Sequence, residues 1–277
     1  MNTIDTTMRA LEIQGTTVPK LGFGTWQIEG PECQEAVEDA LAIGYRHIDT
    51  ARAYGNEAEV GRGIAAAGIP RNEFFLTTKI WREEYAPGDL QRAAEDSLKN
   101  LQVDCLDLLL HWPNLDFPLE ETLGALAGLR DEGLILHLGV SNFPAGMLRE
   151  ALGVAPIFAD QVEFHPFLSQ DALVELAAEK DFMVAAYSPL ARGKVPSDET
   201  LRNIAEEHGR TAGQVALRWL LDKPQVCALP KASSHERRVE NFEVFDIELT
   251  DEDRAAIDAL PKGERIIDPG WAPDWDA

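Results

Sequence analysis

Phe74-Phe-Leu-Thr-Thr-Lys79 and Leu106-Asp-Leu-Leu-Leu-His111 are short, β-rich runs, and Leu90–Leu101 between them has apolar side chains at i, i+3 and i+4. The pattern reads as strand, helix, strand, and each strand ends on a group that can ionise. Outward from this unit the same alternation continues in both directions. Further strand-like segments are Leu21–Thr25, His47–Thr50, Leu136–Ser141, Phe158–Glu163, Met183–Tyr187 and Val226–Pro230. Helical spacing recurs over Cys33–Ile43, Ala58–Ala67, Leu119–Glu132, Met147–Leu152, Asp171–Lys180 and Thr200–Glu207. Pro31 opens the first helix; Gly44, Gly68 and Gly133 close helices; Ser169-Gln-Asp and Pro196-Ser-Asp read as helix starts. Met8–Ile13 and Thr17–Lys20 flank Gln14-Gly15, a hairpin ahead of the first barrel strand.

No linker, charge block or low-complexity run divides residues 1–277, so the expectation is a single α/β domain. Eight β-α units with about eight helices favour a closed (β/α)8 TIM barrel with a short N-terminal β-hairpin. An open dinucleotide-binding sheet is the rival, but Gly22-Phe-Gly24-Thr-Trp-Gln27 lacks the third glycine of G-x-G-x-x-G and there is no P-loop.

The 277 residues carry 48 Asp and Glu against 25 Lys and Arg, a formal charge of -23. That excess argues against general binding to nucleic acid or anionic membranes. With 17 arginines and only 8 lysines, the composition is also what a high-salt cytoplasm favours. Cys33, Cys105 and Cys227 stand at unrelated spacings without CxxC, so neither a disulfide framework nor a metal site is expected. No signal peptide and no bilayer-spanning run is read, and the expected location is the cytoplasm.

Set side by side, the strand ends hold Asp49, Lys79, His111, Ser141-Asn142, Gln161 with Glu163, Tyr187-Ser188 and Lys231. In a barrel these ends open onto one face, where barrel enzymes place their sites. Asp49 alone would pass for a helix cap, Lys79 for a loop lysine, His111 for a core histidine and Tyr54 for a packing tyrosine. Together they form a proton-transfer set. Lys79 would lower the pKa of Tyr54, Asp49 would hold Lys79 charged, and His111 would orient a carbonyl and donate to its oxygen. No Ser or Cys nucleophile accompanies them, so the set suits carbonyl reduction, and the hydride must come from a redox cofactor.

Three stretches resemble the aldo-keto reductase superfamily: Gly44-Tyr-Arg-His-Ile-Asp49-Thr-Ala-Arg-Ala-Tyr54-Gly-Asn-Glu57, Leu134-Ile-Leu-His-Leu-Gly-Val-Ser141-Asn142-Phe, and Leu229-Pro-Lys231-Ala-Ser-Ser-His-Glu-Arg237-Arg-Val-Glu240-Asn241-Phe. Phe75–Trp81, Leu110–Pro113 and Gln161–Pro166 match as well, so the likeness runs from about residue 9 to 277. The tail Arg265–Trp275 is similar to the small prokaryotic 2,5-diketo-D-gluconic acid reductase and methylglyoxal reductase types.

The resemblance implies NADPH bound without a Rossmann domain, and a catalytic tetrad of Asp49, Tyr54, Lys79 and His111 with Tyr54 as general acid. It implies Ser141, Asn142 and Gln161 around the nicotinamide carboxamide and Tyr187 stacked on the ring. Ser188, Pro189, Leu190 and Gly193 would pack the pyrophosphate. Lys231, Ser234 and Arg237 would meet the 2′-phosphate, and Glu240 and Asn241 the adenine. Lys231, Arg237 and Arg238 together would concentrate positive charge for that phosphate. Ala232 stands where the family usually has serine, which weakens the phosphate site and opens NADH use. Trp26, Trp81, Trp112 and Trp271, with Phe117, are expected to wall a pocket kept open by short loops. A small carbonyl substrate (an aldehyde, 2-oxoaldehyde or sugar-derived ketone) and a monomer follow. The alternatives are a non-catalytic NADP(H)-sensing subunit and a lyase using Lys79 as a Schiff base.

Overall fold

Runs such as Leu106–Leu110 and Ala159–Glu163 are buried along their whole length, because one face of each strand meets helices and the other meets the barrel interior. The computed structural model describes residues 9–276. A hairpin of β1 (Ala10–Ile13) and β2 (Thr16–Pro19) comes first. The barrel strands follow as β3 (Phe23–Gly24), β4 (His47–Asp49), β5 (Phe75–Ile80), β6 (Leu106–Leu110), β7 (Ile135–Ser141), β8 (Ala159–Glu163), β9 (Met183–Tyr187) and β10 (Val226–Leu229). Sequence neighbours are sheet neighbours, all parallel. The ring closes where Leu21 bridges Ala228 and the Gly22 amide donates to the Ala228 carbonyl at 2.9 Å. A β-carbon on Gly22 would sit 2.4 Å from Leu229 Cδ2, so this glycine lets the first strand meet the last. Met8, the first residue of the expected hairpin, lies outside the described residues.

The helices are α1 (Gly30–Ile43), α2 (Glu57–Ala67), α3 (Asp89–Leu101), α4 (Leu119–Asp131), α5 (Ala145–Val154), α6 (Asp171–Lys180), α7 (Glu199–Glu207), α8 (Ala212–Leu221), α9 (His235–Phe242) and α10 (Asp251–Asp258). Ten therefore replace the expected eight or so among the described residues. All ten residues of α8 are buried, Gln214 and Arg218 included, so it lacks the solvent-exposed face that marks a surface helix. Its start is fixed by a capping box, Thr211 Oγ1 accepting from the Gln214 amide while Gln214 reaches back to the Thr211 amide.

Two hydrophobic clusters show which way each strand residue faces. One fills the space between sheet and helices and includes Ile48, Leu76, Leu108, Val140, Val162, Val184 and Ala228. The other lies inside the barrel and joins Phe75, Leu109, Ala159, Met183, Ala185, Cys227 and Leu229 to Leu11, Ile13 and Val18 of the hairpin, which closes the N-terminal pole. With a side-chain period of two, the interior set extends to Asp49, Lys79, His111, Ser141, Gln161 and Tyr187 at the opposite pole. The strand pleat thus delivers the polar strand ends to one place.

Candidate active site

Lys79 is fully buried at the end of β5, and its ammonium donates to both oxygens of Asp49 (2.9 and 2.8 Å) and to the Thr50 carbonyl (2.7 Å). A short 3-10 turn, Arg52–Tyr54, follows β4 and brings the Tyr54 hydroxyl to 3.5 Å from Lys79 Nζ. The His111 ring stands edge-on to Tyr54, 5.9 Å between centroids, and to Trp81 at 5.2 Å. His111 Nδ1 is buried, with no hydrogen-bond partner among the described residues.

The electrostatics correct one expectation. Burial, and after it the Asp49 carboxylate, hold the Tyr54 phenol well above its ordinary pKa of 10. The Lys79 charge, matched by Asp49, does not bring the phenol below its ordinary value. Burial lowers the pKa of Lys79 itself, with Asp49 opposing that shift. Burial first, and the Lys79 charge second, push His111 well below 6.5. The resting site therefore presents a neutral phenol and a neutral imidazole side by side.

Beside this set the next strand ends form a second hydrogen-bonded group. The Ser141 hydroxyl donates to the Gln161 carbonyl at 2.7 Å, and Asn142 Nδ2 donates to Ser141 Oγ and the His111 carbonyl, both at 3.0 Å. The Tyr187 hydroxyl donates to Asn142 Oδ1 at 2.7 Å, which fixes its ring. Asn142 and Ser188 both adopt left-handed backbone (φ 64° and 49°), a conformation that costs about 1–3 kcal/mol and gathers at functional sites. Gln161 Nε2 donates to Asp49 Oδ1 at 2.7 Å, a contact the sequence reading did not foresee.

A cleft of about 1350 Å³ begins at Tyr54, His111, Trp26, Trp81, Trp112 and Trp271. It passes Ser141, Asn142, Gln161, Tyr187, Ser188, Pro189, Leu190 and Gly193, and ends at Lys231, Ala232, Arg237, Glu240 and Asn241. Lys79 lies beneath its floor. Ser234 is not on the wall: its hydroxyl caps α9 by accepting the Arg237 amide at 3.3 Å. Arg238 departs from the expected cationic cluster. It is turned inward, donating to Asp39 at 2.6 Å and to the Ala232 and Ser233 carbonyls, and so stiffens the Lys231 loop without facing the cleft. Phe117 also stands off the pocket, packed edge-on to Tyr85.

Residues the sequence reading passed over also line the cleft, among them Arg192, Thr211, Ile267 and Asp268. The Arg192 guanidinium lies 4.7 Å over the Trp26 ring. Thr211 donates to Glu240 Oε1 at 2.7 Å. Thr211 carries a capping-box signal in the sequence, Ile267 and Asp268 lie within the matching tail Arg265–Trp275, and Arg192 has no local signal.

A polar pole joined by a groove to two cations is a donor set that fits a nicotinamide dinucleotide. The comparisons with known proteins agree. Residues 20–262 match the Aldo/keto reductase family, and the chain belongs to it. It is accordingly an oxidoreductase, of a family that generally uses NAD(P)H and acts on small carbonyl compounds. It is 42% identical to a glyoxal reductase of Bacillus subtilis over 91% of this chain and 92% of that one. It is 36% identical to methylglyoxal reductase DkgB of Escherichia coli O157:H7 over 94% and 99%. The crystal structure of a proposed 2,5-diketo-D-gluconic acid reductase B superposes with a TM-score of 0.94 at 43% identity, covering 98% of both chains. Among the described residues no helix is long and apolar enough to cross a membrane.

Proposed function

We propose that the protein reduces small aldehydes, 2-oxoaldehydes or sugar-derived ketones with NADPH, Tyr54 acting as general acid. The observation that carries this reading is the neutral Tyr54 phenol held between the buried Lys79–Asp49 pair and His111 at the polar end of the cleft. When bound, the reduced nicotinamide supplies the hydride that the carbonyl carbon accepts. Tyr54 gives its hydroxyl proton to the carbonyl oxygen and recovers one from solvent. As that proton leaves, the Lys79 ammonium 3.5 Å away stabilises the phenolate. Asp49 keeps Lys79 charged and aimed, and His111 orients the carbonyl.

Ser141, Asn142 and Gln161 would hold the carboxamide, with the Tyr187 ring beside the nicotinamide. Ser188, Pro189, Leu190 and Gly193 take the pyrophosphate, Lys231 and Arg237 the 2′-phosphate, and Glu240 and Asn241 the adenine. Ser234 contributes by capping α9 at that end. The hydrogen bonds from Lys79 to both Asp49 oxygens speak against a Schiff-base lyase, since they favour the charged amine. The names of the glyoxal, methylglyoxal and 2,5-diketo-D-gluconic acid reductases set the order of a substrate panel. NADPH absorbance with methylglyoxal, glyoxal and a diketo sugar acid tests the reading. Steady oxidation of NADPH is the expected result, and silence across the whole panel contradicts it.

A further inference from the structure

Glu163 ends β8 two residues beyond Gln161, and the chemistry proposed above gives it no part. Its side chain is wholly buried, and among the described residues no lysine or arginine comes within ion-pair distance of it, Arg265 acting on it only from farther off. Its three hydrogen-bond donors are N–H groups. Oε1 accepts from His165 Nε2 at 2.9 Å and from the Ile266 amide at 2.8 Å, and Oε2 accepts from the Ile267 amide at 2.8 Å. His165 is wholly buried too, and its Nδ1 accepts from the Phe167 amide at 3.3 Å. With Nδ1 an acceptor, the ring proton sits on Nε2 and points at Glu163. Burial alone would raise the Glu163 carboxyl, but these donors outweigh it and hold the group below its usual range.

Both amides belong to the segment that follows the last helix and returns over the barrel mouth. That tail supplies Ile266, Ile267, Asp268, Pro269 and Trp271 to the cleft. Trp271 meets Trp112 edge-on at 5.0 Å and Trp81 at 5.8 Å, and Trp81 in turn flanks His111. Just before these amides the Glu264 N–H donates to the Phe167 carbonyl at 2.9 Å, while the side-chain contacts on either side are exposed: Lys194 pairs with Glu264, and Arg82 donates to the Trp271 carbonyl at 3.3 Å. Exposed pairs of this kind are screened and worth little. A buried carboxylate that takes two consecutive amides ties this stretch of the tail to β8, because pulling the stretch away would strand a buried charge.

We propose that Glu163, oriented by His165, is a positioning residue that pins the tail at Ile266 and Ile267 and so places Trp271 against the substrate end of the cleft. The assignment to substrate selection rests on the reductase reading; the anchoring does not.

The test uses the full chain with Glu163→Gln, which keeps the size of the side chain but turns one acceptor into a donor facing an amide. Hydrogen–deuterium exchange should speed up at least about tenfold at Ile266 and Ile267, with strands β4–β6 unchanged. KM for an aromatic aldehyde long enough to reach Trp271, such as 4-nitrobenzaldehyde, should rise about five- to tenfold. The KM for methylglyoxal, the kcat values and the Kd for NADPH should stay within twofold. Trp271→Ala should reproduce the KM change, and adding Glu163→Gln to it should change nothing further. Glu163→Asp, read the same way, serves if the Gln variant does not fold. Unchanged exchange at the two amides overturns the anchor. Equal KM shifts for both substrates, a weakened NADPH Kd, or additive effects with Trp271→Ala overturn the positioning role. Because exchange needs no turnover, an inactive wild-type chain would defeat the reductase reading and still leave the anchor tested.

Discussion

Gln161 Nε2 donates to Asp49 Oδ1 at 2.7 Å, from β8 to β4 across the barrel, so the carboxylate that grips Lys79 is itself gripped from the opposite wall. The Gln161 backbone carbonyl meanwhile accepts from the Ser141 hydroxyl and the Asn142 amide. One residue thus ties the proposed carboxamide cradle to the proton-transfer set.

Gln161→Leu removes that tie. A hydrogen bond to a charged group contributes about 1.5–3 kcal/mol. We expect kcat/KM for methylglyoxal to fall roughly 10- to 100-fold, with weaker NADPH binding alongside. Steady-state kinetics and a fluorescence titration of the cofactor check this. An effect within twofold would mean that Lys79 alone keeps Asp49 in place.

The two raised and lowered pKa values fix the pH profile. Tyr54 lies well above 10, so it remains a proton donor as pH rises through the neutral range and is lost only in alkali. His111 lies well below 6.5, so it is already neutral there. A plot of kcat/KM for reduction should be flat from about pH 6.5 to 9.5. A break near 6.5 that vanishes in His111→Gln would contradict the neutral imidazole.

Asp160 faces the helices from β8, fully buried, and neither carboxylate oxygen has a hydrogen-bond partner among the described residues. Burial pushes its carboxyl well above the usual range, only the Phe143 backbone opposing. The folded chain therefore holds a proton that the unfolded chain releases near pH 4, and stability falls as pH rises from there toward the folded value. Asp160→Asn should raise Tm, more at pH 8 than at pH 4.5. Thermal melts at both values read the difference, and a pH-independent change would rule out the buried acid as its source.

At the far end of the cleft, Lys231→Ala or Arg237→Ala should each weaken NADPH about tenfold and leave NADH nearly untouched. The gap should narrow near 1 M salt, where the Debye length is about 3 Å and the attraction of these two cations for the phosphate is screened. Isothermal titration of both cofactors at low and high salt checks the pair. Equal losses for NADPH and NADH would place these cations away from the 2′-phosphate.

How much of this was readable depends on the kind of signal. Asp49, Lys79 and His111 stood out because each ends an apolar run, and the period-two pleat then faced all three inward beside Phe75, Leu109 and Ala159. The hairpin and the eight strands fell within a residue or two of their observed bounds for the same reason. Helix α8 was missed because it is buried on every side, Gln214 and Arg218 included, and so lacks a solvent-facing polar stripe. The contact between Gln161 and Asp49 spans 112 residues, and nothing local to either side chain announces it. Arg238 looked like its neighbour Arg237 in sequence, yet one helical step turns it inward onto Asp39. Glu163 was visible as a strand-end acid, but its partners lie 103 and 104 residues away in the tail.

The central claim is that Tyr54 supplies the proton, and Tyr54→Phe tests it most directly. This change removes one oxygen and keeps the ring that packs against His111. Single-turnover reduction of methylglyoxal, followed by NADPH absorbance beside an NADPH titration, should show the rate falling by at least about a thousandfold. The Kd for NADPH should stay within about twofold. Turnover within tenfold of the parent chain at unchanged cofactor affinity would contradict the account.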